Sequence, residues 1–137
     1  MVRNWREENI QRYMKRCRHF TGIQNDECAA GVSYLSVRDN SVSPYRWPCI
    51  NEGAVTSCSL ADYPAREEAE ANEARQSAAL ERTGKARAAI TATTNGRCRV
   101  SGEIACPNCG GRLAYSVAGN GHVWGRCSTE DCASWME

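Results

Sequence analysis

Phenylalanine occurs once and histidine twice in this chain of 137 residues. No stretch approaches the roughly eighteen consecutive apolar residues of a membrane span. The scarcity of large apolar residues excludes an extensive conventional core. A chain of this length makes one ordinary domain or two very small ones, and small domains often rely on metals or disulfides as staples. His19 and His122 lie in different parts of the chain, and no His-Glu-x-x-His, His-x-Glu, phosphate-loop or Gly-x-Ser-x-Gly pattern is present, so the chain is read as a non-enzyme. The residues Met1-Val2-Arg3-Asn4-Trp5-Arg6-Glu7-Glu8 contain no apolar core of a secretory signal, and a cytoplasmic, non-membrane protein is expected. Formal net charge is +1 and selects no partner. No internal repeat is visible.

Against these absences stand nine cysteines. In a reducing compartment, clustered cysteines are more often metal ligands than disulfides, and an odd number cannot pair completely. Cys106-Pro107-Asn108-Cys109-Gly110-Gly111 is one turn-rich knuckle and Cys127-x4-Cys132 a second. Two such pairs meet the needs of a tetrahedral zinc site, in which each thiolate lies about 2.3 Å from the ion. Leu113, Tyr115 and Val117 alternate with Arg112, Ala114 and Ser116, the period of a half-buried strand. Asn120-Gly121 signals a type I′ turn, and the return strand runs from His122 to Cys127. The hairpin thereby brings the second pair back beside the first. Four ligating thiolates leave no open position on zinc, which points to a structural site. The Cys-x2-Cys spacing also occurs in thioredoxin-type redox sites, but no βαβ context surrounds it here.

The run Cys-Pro-x-Cys-Gly-Gly-x-Leu followed by Gly-x-x-x-Gly-x-Cys-Ser-x-x-x-Cys resembles the C-terminal zinc ribbons of bacterial type IA DNA topoisomerases. It is carried by Cys106, Pro107, Cys109, Gly110, Gly111, Leu113, Gly121, Gly125, Cys127, Ser128 and Cys132, and covers about thirty residues, roughly a quarter of the chain. The resemblance does not extend to the topoisomerase catalytic domain. It implies binding of single-stranded DNA and, by position, implicates Arg112, Tyr115, Trp124 and Arg126. The family places a basic and aromatic run before the third cysteine; His122-Val123-Trp124 stands there in this chain and is less basic. Stacking of bases on Trp124 or Tyr115, with arginines on phosphates, is the implied chemistry. One of the two aromatics is expected to cover the knuckles as a small core. The chain as a whole also resembles small cysteine-rich proteins of bacteriophages and prophages.

Cys17-x10-Cys28-x20-Cys49-x8-Cys58 forms a second possible metal site, for zinc or for an iron–sulfur cluster. Each ligand would arrive from its own loop, and His19 can replace one of them. Buried thiols with one disulfide are the alternative. Arg16, Arg18 and His19 would favour thiolates nearby. Cys98 stands apart as a free thiol.

Residues 1–20 read as a helix with Trp5, Ile10, Tyr13, Met14 and Cys17 on one side. Six basic residues face Glu7 and Glu8 there, a local charge of +4, which makes either a solvated face or a surface for nucleic acid or an acidic protein. Residues 21–60 are irregular, broken by Gly22, Gly31, Pro44, Pro48 and Gly53, with a strand over Val32–Val37. Asp62 and Pro64 signal the start of an Ala/Glu-rich helix over 62–91, with Glu81 and Lys85 as an i,i+4 pair and a kink near Thr83-Gly84. Leu80 and Ile90 are its large aliphatics, so it reads as a spacer or docking arm.

The expected architecture is a small α+β, metal-stabilised protein. Residues 1–61 form a cysteine-cluster module, 62–95 a helix and linker, and 96–137 a zinc ribbon. Two Zn²⁺ sites are expected. The leading partner is nucleic acid, reached through the ribbon and helped by the basic segments 3–18 and 85–99. The alternatives are a protein-interaction adaptor or inhibitor, such as a phage protein docking on a host complex, and an iron–sulfur redox protein.

Overall fold

The computed structural model describes residues 2–37, 47–50 and 58–137. Pro44 and Gly53, read above as chain breaks, lie outside the described residues. The fold is α+β and divides into two compact units, Met1–Ala74 and Arg75–Glu137. No helix among the described residues is long and apolar enough to cross a membrane.

In the first unit, α1 (Trp5–Met14) starts where the Asn4 side chain accepts the Glu7 N–H, a conventional N-cap. Ile10 is its one buried residue, while Trp5 is exposed beneath the Arg3 guanidinium. The expected strand over Val32–Val37 is a correction. Residues Tyr34–Val37 form a short helix, α2. Tyr34 and Val37 are buried while Leu35 is exposed, a spacing of three that matches a helical face and defeats the alternation of a strand. Only the single bridge between Glu27 and Ser33 remains of sheet pairing there. Tyr34 stacks on Trp47 at 5.4 Å and meets the edge of Phe20 at 5.9 Å.

Among the described residues, ion pairs within the same unit reach three of the six basic residues of the segment 3–18. Arg3 pairs with Glu8, Arg6 with Glu73, and Glu7 with Arg66. Arg18 bridges Asp62 and Glu68. Asp62, read above as a helix cap, therefore serves as an ion-pair partner. Acids in the early turns of the next helix, Glu68 and Glu73, thus pair with basic residues of α1 and its flank.

That helix, α3 (Arg66–Thr94), runs unbroken through Gly84, so the expected kink is absent. Its first hydrogen bond runs from the Ala69 N–H to the Ala65 carbonyl. It ends at Asn95 and Gly96, whose φ values of 51° and 70° are left-handed, a common helix stop. Burial along α3 falls into two separate stripes. Ala69 and Glu73 are buried at one end, and Ala86, Ile90 and Thr94 at the other, with residues 74–81 exposed between them. The i,i+4 spacing within each stripe gives each unit its own buried helical face. The C-terminal half of α3 is thus part of a core and not only a spacer.

In the second unit, β1 (Val100–Ala105), β2 (Arg112–Val117), β3 (Val123–Cys127) and β4 (Ser134–Trp135) form an antiparallel meander in that order. The hairpin from β2 to β3 is as expected, with Leu113 opposite Cys127 and Val117 opposite Val123. Its turn differs from a two-residue type I′. Ala118 and His122 pair across residues 119–121, and Gly121 alone takes a positive φ, 85°. This is a three-residue loop closed by a left-handed glycine. The strands β1 and β4 were not anticipated. The inward side chains Leu113, Val117 and Val123 pack with Ala86 and Ile90 of α3 and with Cys106, Cys127 and Ala133.

Candidate metal centre

β1 delivers the first knuckle and β3 the second. Each is closed in the same way. The Cys106 N–H donates to the Gly111 carbonyl at 2.7 Å, and the Cys127 N–H donates to the Ala133 carbonyl at 2.8 Å. Gly110 takes φ 75° and Asp131 φ 56°, so each knuckle reverses through one left-handed residue. Backbone N–H groups also point at sulfur: Gly111 donates to Cys109 Sγ and Thr129 to Cys127 Sγ, both at 3.4 Å. Gly111 allows the two knuckles to touch, since a Cβ there would lie 2.7 Å from Thr129 Oγ1.

The four sulfurs of Cys106, Cys109, Cys127 and Cys132 all lie within 4.8 Å of one another. Cys106 and Cys132 are 3.7 Å apart and Cys109 and Cys127 3.4 Å. Zinc–thiolate bonds of about 2.3 Å in a tetrahedron place sulfurs about 3.8 Å apart. A disulfide needs about 2.05 Å, and all four thiols are free. The group therefore fits a tetrahedral metal ion, and zinc would close it as a structural tetrathiolate. Among the described residues no other group of three or more potential ligands is drawn together so closely.

The electrostatics agree with a cation site. The Cys109 thiol is lowered to about 6, first by the Thr129 hydroxyl and then by the Gly111 N–H and the Cys127 thiol. Cys132 is pushed up to about 12, first by burial and then by the neighbouring cysteines. One thiolate is stabilised and the next is resisted, by burial first and by the neighbouring cysteines second. A divalent ion would offset the burial of charge and drive the remaining protons off.

Comparison with protein-family models, with curated proteins and with solved structures gives no match. The site is accordingly read on its own geometry.

The hairpin residues implicated by resemblance divide between two faces. Arg112, Trp124 and Arg126 point outward, while Tyr115 lies on the inner face and packs against the core. A Cβ on Gly102 would meet the Tyr115 hydroxyl at 2.9 Å. Tyr115 is thus the structural aromatic of the pair. Trp124 is 46% exposed and pairs across the strands with Ser116, next to Arg126 opposite Ala114. Arg112 lies 3.5 Å from Glu103 on the same face.

Sequence reasoning missed three contributors to this centre. Asn108, inside the first knuckle, donates to the Arg82 carbonyl of α3 at 2.9 Å. Arg82 in turn donates to the Cys132 carbonyl at 2.8 Å, so one helical residue holds both knuckles. Trp135 of β4 lies over Gly125, where any Cβ would overlap its ring. The glycine in the Gly-x-Cys signature was the available signal for that close approach.

The N-terminal cysteines are also brought to one place. Cys17, Cys28, Cys49 and Cys58 line a single small cavity together with His19. Burial pushes the Cys49 thiol up to about 11, and Cys17, Cys58 and Cys28 push it the same way. Arg16 sits over the Phe20 ring at 4.7 Å and Arg18 is held by carboxylates, which limits their help to these thiols. Cys98 is exposed.

Proposed function

We propose that the chain is a metal-built binding module, without catalysis of its own, whose C-terminal sheet binds single-stranded nucleic acid. The observation that carries this reading is the outward face of the hairpin. Trp124 stands exposed there beside Arg126, with Arg112 diagonally across the strand pair. An aromatic ring offers bases a stacking surface, and flanking guanidinium groups suit phosphates. Arg126 has no ion-pair partner among the described residues. The resemblance to topoisomerase ribbons supports the same assignment. Zinc supplies no chemistry here beyond holding the knuckles, which in turn orient the hairpin.

The test is anisotropy of a labelled single-stranded oligonucleotide titrated with the full chain at several salt concentrations. Affinity should fall steeply with salt. Trp124→Ala should cost about 1–3 kcal/mol of binding, and Arg126→Ala should flatten the salt slope by about one. Absence of binding at low salt, or an unchanged Trp124→Ala variant, defeats the reading. In that event the same face would serve a protein-interaction adaptor or inhibitor, such as a phage protein on a host complex. Glu103 beside Arg112, which makes the face mixed in charge, favours that second reading.

A further inference from the structure

Cys17, Cys28, Cys49 and Cys58 reach their shared cavity of about 10 Å³ from four separate stretches of chain. Buried thiols that merely pack behave as small apolar side chains and require no particular backbone. Here the backbone repeats the devices of the C-terminal knuckles. Cys17, Cys28 and Cys58 each open a tight turn, their carbonyls accepting the N–H of Phe20 at 3.1 Å, Gly31 at 2.9 Å and Ala61 at 3.1 Å. Gly31 closes its turn at φ 76°, as Gly110 does at 75°. The Asp62 N–H donates to Cys17 Sγ at 3.4 Å, the same distance as the N–H contacts to Cys109 and Cys127. The Cys17 N–H donates to the Cys49 carbonyl at 2.7 Å, tying two of the four stretches directly. All four thiols are free.

We propose that these four cysteines form a second structural zinc site. On uptake four S–H bonds break, four Zn–S bonds form and four protons pass to solvent, with no change of oxidation state. The cavity is about the size that one water needs, which leaves room for a bare ion. These sulfurs do not reach the 4.8 Å clustering of the C-terminal quartet, so uptake draws them inward. His19 lines the cavity as a neighbour and not as a ligand, because four thiolates complete the tetrahedron. Among the described residues the buried apolar cluster nearby is Tyr34, Val37, Trp47 and Cys49, with Phe20 and Val32 partly buried against it. An ion joining four stretches would add a centre to the small apolar cluster of the described residues. The site is independent of the nucleic-acid face proposed above.

Metal content of the full chain, purified under reductant with zinc, tests this. The wild type should carry two zinc ions. Cys17→Ser/Cys49→Ser and Cys106→Ser/Cys127→Ser should each carry one, and His19→Ala two. Cadmium-113 NMR of the substituted wild type should show two tetrathiolate resonances, a readout that needs no variant to fold. A wild type with one zinc and one cadmium resonance overturns the proposal. So does iron with visible absorbance in place of the second zinc, or a His19→Ala variant that loses an ion.

Discussion

Each unit of the protein gathers four cysteines, and the two do so by different means. In the second unit they come as short-spaced pairs at the ends of a hairpin, and their sulfurs lie 3.4–3.7 Å apart within each contacting pair. In the first unit they come singly, and their meeting depends on how distant segments pack. The surrounding forces differ as well. The second unit buries Ile90 and Leu113 completely. The first is crossed by ion pairs, Arg18 with Asp62 and Glu68 and Arg66 with Glu7, all partly exposed. Exposed pairs contribute little each, whereas complete burial of a large aliphatic is worth about 1.5–3 kcal/mol. Local spacing makes a cysteine cluster readable and robust; long-range delivery makes it depend on the rest of the fold.

The strongest test of this contrast is metal removal. Chelation should abolish the β-sheet signal in circular dichroism, because structural zinc can supply on the order of 10 kcal/mol of folding free energy in small domains. A sheet that survives complete chelation would place the second unit's stability in its apolar core instead. Next in size, Ile90→Ala should cost about 2–5 kcal/mol in urea unfolding. Leu80→Ala, on the same helix but 72% exposed, should stay within about 0.5 kcal/mol. Similar losses at the two positions would break the assignment of α3 to two separate buried stripes. Asn108→Ala removes the bond from the first knuckle to α3 and should cost about 1 kcal/mol, read also as faster zinc release to a chelator. Equal release rates would mean that the helix does not hold the knuckle.

The smallest effect belongs to the first unit's ion pairs. Glu7 is held at about 2, below its ordinary 4.5, first by its hydrogen bond to Arg66 and then by Gln11. A carboxylate lowered on folding stabilises fully above its unfolded value and loses that contribution as pH falls through the folded one. The stability difference between wild type and Glu7→Gln should therefore be small at neutral pH and shrink between about pH 4.5 and 2. Subtracting the variant cancels the metal loss that acid causes in both. A difference that grows on acidification would contradict the Arg66 pairing.

Local signals carried much of the second unit. The pair spacing announced the metal site, and alternation from Arg112 to Val117 placed the hairpin with Leu113 inward. β1 was hidden because Val100, Gly102 and Ile104 alternate weakly around a glycine and an alanine, and β4 because two residues are too few for any period. The separation of Trp124 from Tyr115 was not legible, because it depends on the loop. A two-residue turn at Asn120-Gly121 would pair Trp124 with Val117 on the face of Tyr115, whereas the three-residue loop pairs it with Ser116 on the opposite face. In the first unit Tyr34–Val37 misled, because tyrosine, valine and serine suit a strand locally while burial at a spacing of three selected a turn of helix. The charge of residues 3–18 was visible, and the pairing of Arg18 with Glu68 and of Arg6 with Glu73 was not, since those partners lie 50 or more positions away.

By itself the sequence determined the C-terminal cysteine quartet, the hairpin between its pairs and the presence of a long Ala/Glu-rich helix, which begins at Arg66 and not at Asp62. All three depend on contacts within a few residues or on one turn. Tertiary structure alone decided that Ala86 and Ile90 belong to the ribbon's core and that Arg82 holds both knuckles. It alone gathered Cys17, Cys28, Cys49 and Cys58 around one cavity. These depend on which distant segments exclude water from one another, a choice that short-range spacing does not encode.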